Sequence, residues 1–205
     1  MALQPSLSFQ RLVGEKGADL HTLEVFIDYV CPFSGRIAKS IETNLKPLIA
    51  SGGKYAGKVQ LIVRLHPQPW HASSTLTHEA ALAVGRVDPA AFWPYSLLLL
   101  EKQAEYYDIP TSTQTPAQIR ASLASLASSF LSAEQVKEVQ ELLTLKSTPN
   151  GGTGVTDDLK YNIKYSRANS IHVSPTALWD GLIANEVSSS FGKAEWESFL
   201  EKRLA

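Results

Sequence analysis

The sequence predicts an α/β fold into which a block of helices is inserted, and three features point there. Two strand-like runs near the start, one β-branched and aromatic and one rich in valine, leucine and isoleucine, flank a stretch with helical spacing. A long segment without such runs follows, and near the end come a proline turn and a hairpin signal. The 205 residues carry 19 basic and 20 acidic side chains, a net charge of −1 and 44% hydrophobic residues, enough for one domain with a sizeable insertion.

Thr22 to Tyr29 is a β-branched and aromatic run that stops abruptly at Val30-Cys31-Pro32, as a buried strand does. Pro32 suits the first helical position, and Ile37, Ile41, Leu45 and Leu48 recur at helical spacing, so a helix starts at the cysteine, with Pro47 expected to kink or end it. Gly52-Gly53 makes a turn. Lys58 to His66 is a second strand, closed by Pro67 and Pro69, and a right-handed crossover would make the two strands parallel neighbours.

From Ala72 to about Lys146 four helical stretches follow one another. Asp88-Pro89 and Thr115-Pro116 mark boundaries, Ser132 with Gln135 makes a capping box, and Ile119, Leu123, Leu126 and Phe130 form an apolar face. Ser147 to Thr156 reads as a hinge, after which Thr156 caps a helix whose Leu159, Ile163, Tyr161 and Tyr165 face inward. Ile171 to Gly181 then reads as strand, proline turn, strand and tight turn, with Asp180-Gly181 as the hairpin signal. A last helix over about Gly192 to Leu204 presents Trp196, Phe199, Leu200 and Leu204 on one face.

Charge and composition exclude several classes. Basic residues are scattered singly, so nucleic acid is not an expected partner. The longest greasy run, Leu97 to Leu100, is far short of the roughly 18 to 20 apolar residues that cross a bilayer, and no membrane is expected. The N-terminal stretch lacks a basic start and a long apolar run, so the expected location is cytoplasmic. A lone cysteine forbids an intramolecular disulfide and any Cys₄ or Cys₂His₂ zinc site. His66, His71 and His78 follow the second strand, but carboxylates at ligand intervals are missing apart from Glu79, and no metal is expected.

The chemistry gathers at Cys31. A thiol at a helix N-terminus meets unpaired N–H groups and the positive end of the dipole, which favour the thiolate. Ser34 lies one turn on, close enough to reach the sulfur. A small buried hydrophobe is the plain alternative for Cys31. Asp28, three residues earlier, is either a proton relay for the sulfur or a cap for a neighbouring backbone amide. Trp93, Tyr95, Tyr106 and Tyr107 read as packing aromatics of the helical block, some of them placed to close over a substrate.

Phe26-Ile27-Asp28-Tyr29-Val30-Cys31-Pro32-Phe33-Ser34 and Val173-Ser174-Pro175-Thr176, in this order with helices between them, resemble the disulfide-bond-A-like (DsbA-like) branch of the thioredoxin superfamily over nearly the whole chain. The resemblance implies a thioredoxin-like fold from residues 8–70 and 157–205, with a helical insertion at 71–156 covering the cysteine end. It implies a thiol-dependent oxidoreductase or isomerase with Cys31 and Ser34 as catalytic residues. Pro32, Phe33, Ser174, Pro175, Trp70 and His71 would bind substrate, with Pro175 cis and Ser174 offering its N–H and C=O to a peptide or to glutathione.

Where that branch often has a second cysteine this chain has Ser34, so a mixed disulfide must be discharged by an external thiol, of which glutathione is the most economical. Small-molecule thiols, disulfides or electrophiles are the implied partners, and a homodimer stays open. The layout is also similar to kappa-class glutathione transferases and hydroxychromene carboxylate isomerases, which makes a glutathione-dependent transferase or isomerase the alternative. A non-catalytic peptide- or thiol-binding module is the other.

Overall fold

A computed structural model describes residues 3–14 and 19–205; Met1 and Ala2, part of the stretch read for a leader, and residues 15–18 of the first core segment lie outside the described residues. Among the described residues a five-stranded sheet runs in the order β1-β3-β2-β4-β5, with β1 Arg11–Val13, β2 His21–Ile27, β3 Val59–Leu65, β4 Thr176–Trp179 and β5 Leu182–Ile183. β2 and β3 pair in parallel from His21↔Val59 to Ile27↔Leu65, as the predicted crossover requires. β1 and β4 flank them antiparallel, and β1, with only three residues, has no sequence signal that stands out.

β2 is the central strand, and its period of two sorts the core into layers. Leu23, Val25 and Ile27 belong to the main hydrophobic cluster, which the terminal helix α9 (Lys193–Leu204) joins through Trp196, Phe199 and Leu200. Phe26 faces the other way, into a small cluster with Leu178, Ile171 and Tyr165 of α8 (Thr156–Ala168). On that second face Glu24 is buried beside Arg64, whose Nη2 lies 2.6 Å from Oε1, while the Tyr165 hydroxyl donates to both carboxylate oxygens at 3.0 and 2.8 Å. The Arg64 guanidinium also lies 4.2 Å from the centre of the Tyr165 ring.

The helix at the cysteine, α1 (Pro32–Ser40), runs through a wide turn at Ile41–Leu45 into α2 (Lys46–Ile49). The helix does not end at Pro47 itself. With no N–H to offer the Thr43 carbonyl, Pro47 is accommodated by a π-turn in which Lys46 N–H bonds to Ile41 O, and the helix ends two residues later.

Between β3 and β4 come α3 (Ser74–Val87), α4 (Phe92–Glu101), the short α5 (Asp108–Thr111), α6 (Pro116–Leu126), α7 (Ala133–Leu143) and α8. α7 starts at the predicted capping box of Ser132 with Gln135, and at α6 the expected cap Thr115 pairs with Gln118 to make a second one. α3 is buried along most of its length, and a Cβ at Gly85 would stand 2.6 Å from the Phe9 ring, so only glycine lets the N-terminal segment lie against it.

Several local expectations change. Phe130 is exposed because α6 gives way to a 3₁₀ turn at Ala127–Ser129, which rotates it off the Ile119 and Leu123 face. Thr156 is the first residue of α8 and not its cap: its hydroxyl accepts the Thr153 N–H at 2.8 Å. The 147–156 stretch is tied back by Gly154 N–H to Leu142 O and Lys146 N–H to Gly152 O, with Thr153 fully buried. Ile171 to Val173 is not a strand, since Ile171 N–H bonds to Ser166 O at the end of α8. Asp180 and Gly181, at φ of 49° and 83°, do turn β4 into β5.

Candidate thiol site at the end of the central strand

The site begins where β2 ends. Asp28 is fully buried and its carboxylate takes four hydrogen bonds. Oδ1 accepts the Val30 N–H at 3.1 Å and the Ser74 hydroxyl at 2.7 Å, and Oδ2 accepts the Gln68 N–H at 3.3 Å and lies 2.7 Å from His71 Nδ1. One side chain therefore joins the β2 end, the β3–α3 loop and the first turn of α3. The capping reading of Asp28 is the one seen here, since its carboxylate accepts the Val30 and Gln68 amides; it also holds the His71 imidazole.

The Cys31 N–H bonds to Asp28 O at 3.0 Å, and Cys31 occupies the N-cap of α1 with Pro32 next. Its thiol is nearly buried and donates to Ser174 O at 3.3 Å, across the Ser174–Pro175 peptide, which is cis. The two short motifs, 143 residues apart, are thus in hydrogen-bonding contact. Ser34 takes a different role from the one expected: its buried hydroxyl accepts the Asp28 N–H at 3.1 Å, which braces the strand end against α1. Ser174 differs as well. Its N–H and hydroxyl both donate to Gln68 Oε1 at 2.6 Å, so the amide expected to face a ligand is held internally.

Beside the thiol lies a cleft of about 440 Å³ lined by Val30, Pro32, His71, Tyr107, Asp108, Ile109 and Pro110. The Ser73 hydroxyl bonds to Tyr106 O and so holds this segment against the start of α3. Tyr107 has its hydroxyl pKa raised, first by burial and then by the charge of Cys31. A second cavity of about 510 Å³ lies on the other side of the loop, among His66, Gln68, Trp70, His71, Arg167 and His172. Trp70 packs against His71 and His172 at its mouth. Phe33, Trp70, Ile109 and Val173 are 50%, 49%, 87% and 46% exposed, a set of apolar side chains on the segments that carry the site.

The three histidines part company. His71 is on Asp28, whereas His78 is fully buried, with Nδ1 2.7 Å from Ser74 O and Nε2 3.3 Å from Ile27 O. Burial outweighs the nearby Asp28 charge and lowers the His78 pKa, and burial lowers that of His66 too. Among the described residues no group of three or more His, Cys, Asp or Glu side chains could hold a metal. No helix among them is long and apolar enough to cross a membrane.

The site residues that sequence reasoning passed over are Gln68 and Ser74. Gln68 sits between Pro67 and Pro69, whose fixed φ angles stiffen the loop, and that local signal could have marked it. Ser74 has none, because an isolated serine before a helix is ordinary.

No protein-family model matches the sequence, and no curated protein does. Solved structures do. The chain is similar to a candidate protein-disulfide isomerase from Pseudomonas syringae, with 25% identity over 90% of this chain and 95% of that one and a TM-score of 0.69. It is similar to oxidised BdbD from Bacillus subtilis, 22% identical over 98% and 96% of the two chains, TM-score 0.64. The thiol-disulfide oxidoreductase MdbA from Corynebacterium matruchotii matches at 19% identity over 88% and 84%, TM-score 0.62. The chain has a DsbA-like thioredoxin fold.

Proposed function

We propose that this chain is a thiol-dependent oxidoreductase or isomerase in which Cys31 performs monothiol exchange. The observation that carries this reading is the single cysteine, placed at the start of α1 with its thiol on Ser174 O. The helix N-terminus favours negative charge on the sulfur, and the thiolate is the nucleophile in thiol–disulfide exchange. The similar structures, a candidate protein-disulfide isomerase and a thiol-disulfide oxidoreductase, support the same class.

Cys31 attacks a disulfide, forms a mixed disulfide and releases the other half as a thiol; an incoming external thiol then frees Cys31. No internal cysteine can do this, since Ser34 stands one turn on. Glutathione is the external thiol of this reading, and a thiol-rich cytoplasm is the compartment that suits it. Pro32 and Phe33 follow Cys31 in the chain, the Ser174–Pro175 peptide meets its sulfur in space, and these four residues position the substrate. Ser34 and Asp28 hold the strand-to-helix turn in register.

Mass spectrometry after treatment with oxidised glutathione tests the proposal. One glutathionyl group is expected on the wild type, none on Cys31→Ser, and reduced glutathione should remove it. A wild-type chain that stays unmodified overturns the reading. Conjugation of an aromatic electrophile with glutathione, measured on the same protein, separates the transferase alternative.

A further inference from the structure

Asp28 holds His71 in one tautomer. A carboxylate has only acceptor sites to offer, so Nδ1, 2.7 Å from Oδ2, carries the hydrogen, and in the neutral ring the lone pair is on Nε2. The carboxylate is buried and takes three further hydrogen bonds, so it is fixed in place, while the His71 side chain keeps 22% of its surface open. His71 lines the same cleft as Val30 and Pro32, the two neighbours of Cys31, and Tyr107, which senses the Cys31 charge, closes it. A disulfide docked on Cys31 has this cleft to receive its departing sulfur.

We infer that His71 is the acid–base residue of the exchange, giving a proton to the leaving thiolate and taking one from the incoming thiol, with Asp28 as its positioning residue. This rests on the monothiol reading above. In the first half, the Cys31 thiolate attacks R–S–S–R′, the S–S bond breaks, Cys31–S–S–R forms, and R′S⁻ takes the Nε2 proton of the His71 imidazolium. In the second, neutral His71 takes the proton of an external thiol R″SH, and R″S⁻ attacks the R sulfur, forms R–S–S–R″ and restores the Cys31 thiolate. The sum is R–S–S–R′ plus R″SH giving R–S–S–R″ plus R′SH, with the imidazolium regenerated and no outside oxidant or reductant.

The titratable groups around His71 are Asp28, just past the end of β2, which His78 of α3 approaches to 4.0 Å from its other oxygen, and Tyr107 and Asp108, which share the His71 cleft with Val30 and Pro32 on either side of Cys31. Across the loop are His66, His172 and Arg167. Only Asp28 among them is hydrogen-bonded to the His71 ring among the described residues.

The test uses leaving groups of different basicity. Oxidised glutathione releases a basic thiolate that needs a proton, whereas 5,5′-dithiobis(2-nitrobenzoate) releases an aromatic thiolate that does not. In His71→Gln the side-chain amide can still donate to Asp28, but nothing can carry the proton. Its rate should fall about 10²-fold with oxidised glutathione and less than about twofold with the aromatic disulfide. The wild-type rate with oxidised glutathione should pass through a maximum with pH, and the falling alkaline limb should vanish in His71→Gln. His71→Ala should match His71→Gln in both respects, with thermal melting confirming that each variant is folded. Equal losses with the two disulfides, or full activity in His71→Gln, would show that His71 only packs and would overturn the inference. A wild-type chain inert to both disulfides fails at the earlier step, removes the monothiol reading itself, and takes this inference with it.

Discussion

Strand β2 and the residue that follows it hold two buried carboxylates four positions apart, Glu24 and Asp28, and their surroundings differ in kind. Glu24 is closed in: Arg64 and Tyr165 satisfy it, and Phe26, Ile171 and Leu178 pack beside them. Asp28 is equally buried, yet one of its four partners, His71, reaches a cleft next to the thiol. Burial of a charge therefore does not mark a functional site by itself. What distinguishes Asp28 is that its network opens onto space where a ligand can stand, while the Glu24 network fastens α8 to the sheet.

Removing one member from each network should separate the two. Arg64→Met leaves Glu24 buried without its ion-pair partner and should cost about 3–5 kcal/mol in denaturant unfolding, with the exchange rate per folded molecule unchanged. A lower rate in the folded fraction would break the contrast. Asp28→Asn should cost less, about 1–3 kcal/mol, because the amide can still accept some of the four hydrogen bonds. Its exchange with oxidised glutathione should nevertheless fall about tenfold or more, since the imidazolium loses its counter-charge.

Each network should also leave its own mark on stability against pH. His78 and His66 have pKa values below the ordinary 6.5 in the folded chain, so unfolding takes up protons in acid. Their contribution is complete above about pH 6.5 and is lost as pH falls through the lowered folded values, which a series of melting temperatures from pH 7.5 to 5 should show. His78→Gln should flatten part of that fall. On the other side Tyr165 has its pKa raised from 10.0 to about 12, by burial and then by the Glu24 charge. Stability from Tyr165 is complete below about pH 10 and declines as pH rises through the folded value, a loss that Tyr165→Phe should abolish.

The smallest effect is expected at Gln68→Ala. It strands the Ser174 N–H and hydroxyl and should cost about 1 kcal/mol in thermal melting.

The elements legible in the sequence were those with local causes. Proline at the first position of α1, the capping boxes of α6 and α7 and the Asp180-Gly181 turn each act within a few residues. The errors were also local in origin: Pro47 was absorbed by a π-turn, and Ile171 to Val173 gave its hydrogen bond to the end of α8. At the site, Cys31 was readable from its place between strand and helix. Ser34 was given the wrong partner, because one helical turn of separation says what is near and not which group wins the hydrogen bond.

By itself the sequence determined the α/β class, the parallel β2–β3 unit, the nucleophile candidate and its lack of a second cysteine, since each follows from hydrophobic period, capping chemistry or a count of cysteines. Only the tertiary structure decided which carboxylate reaches the cleft beside the thiol. Glu24 meets Arg64 over 40 residues and Tyr165 over 141, and Asp28 meets His71 over 43. Contacts at such separations are set by how layers pack, and only packing leaves one buried charge sealed and gives the other a histidine that faces a cleft.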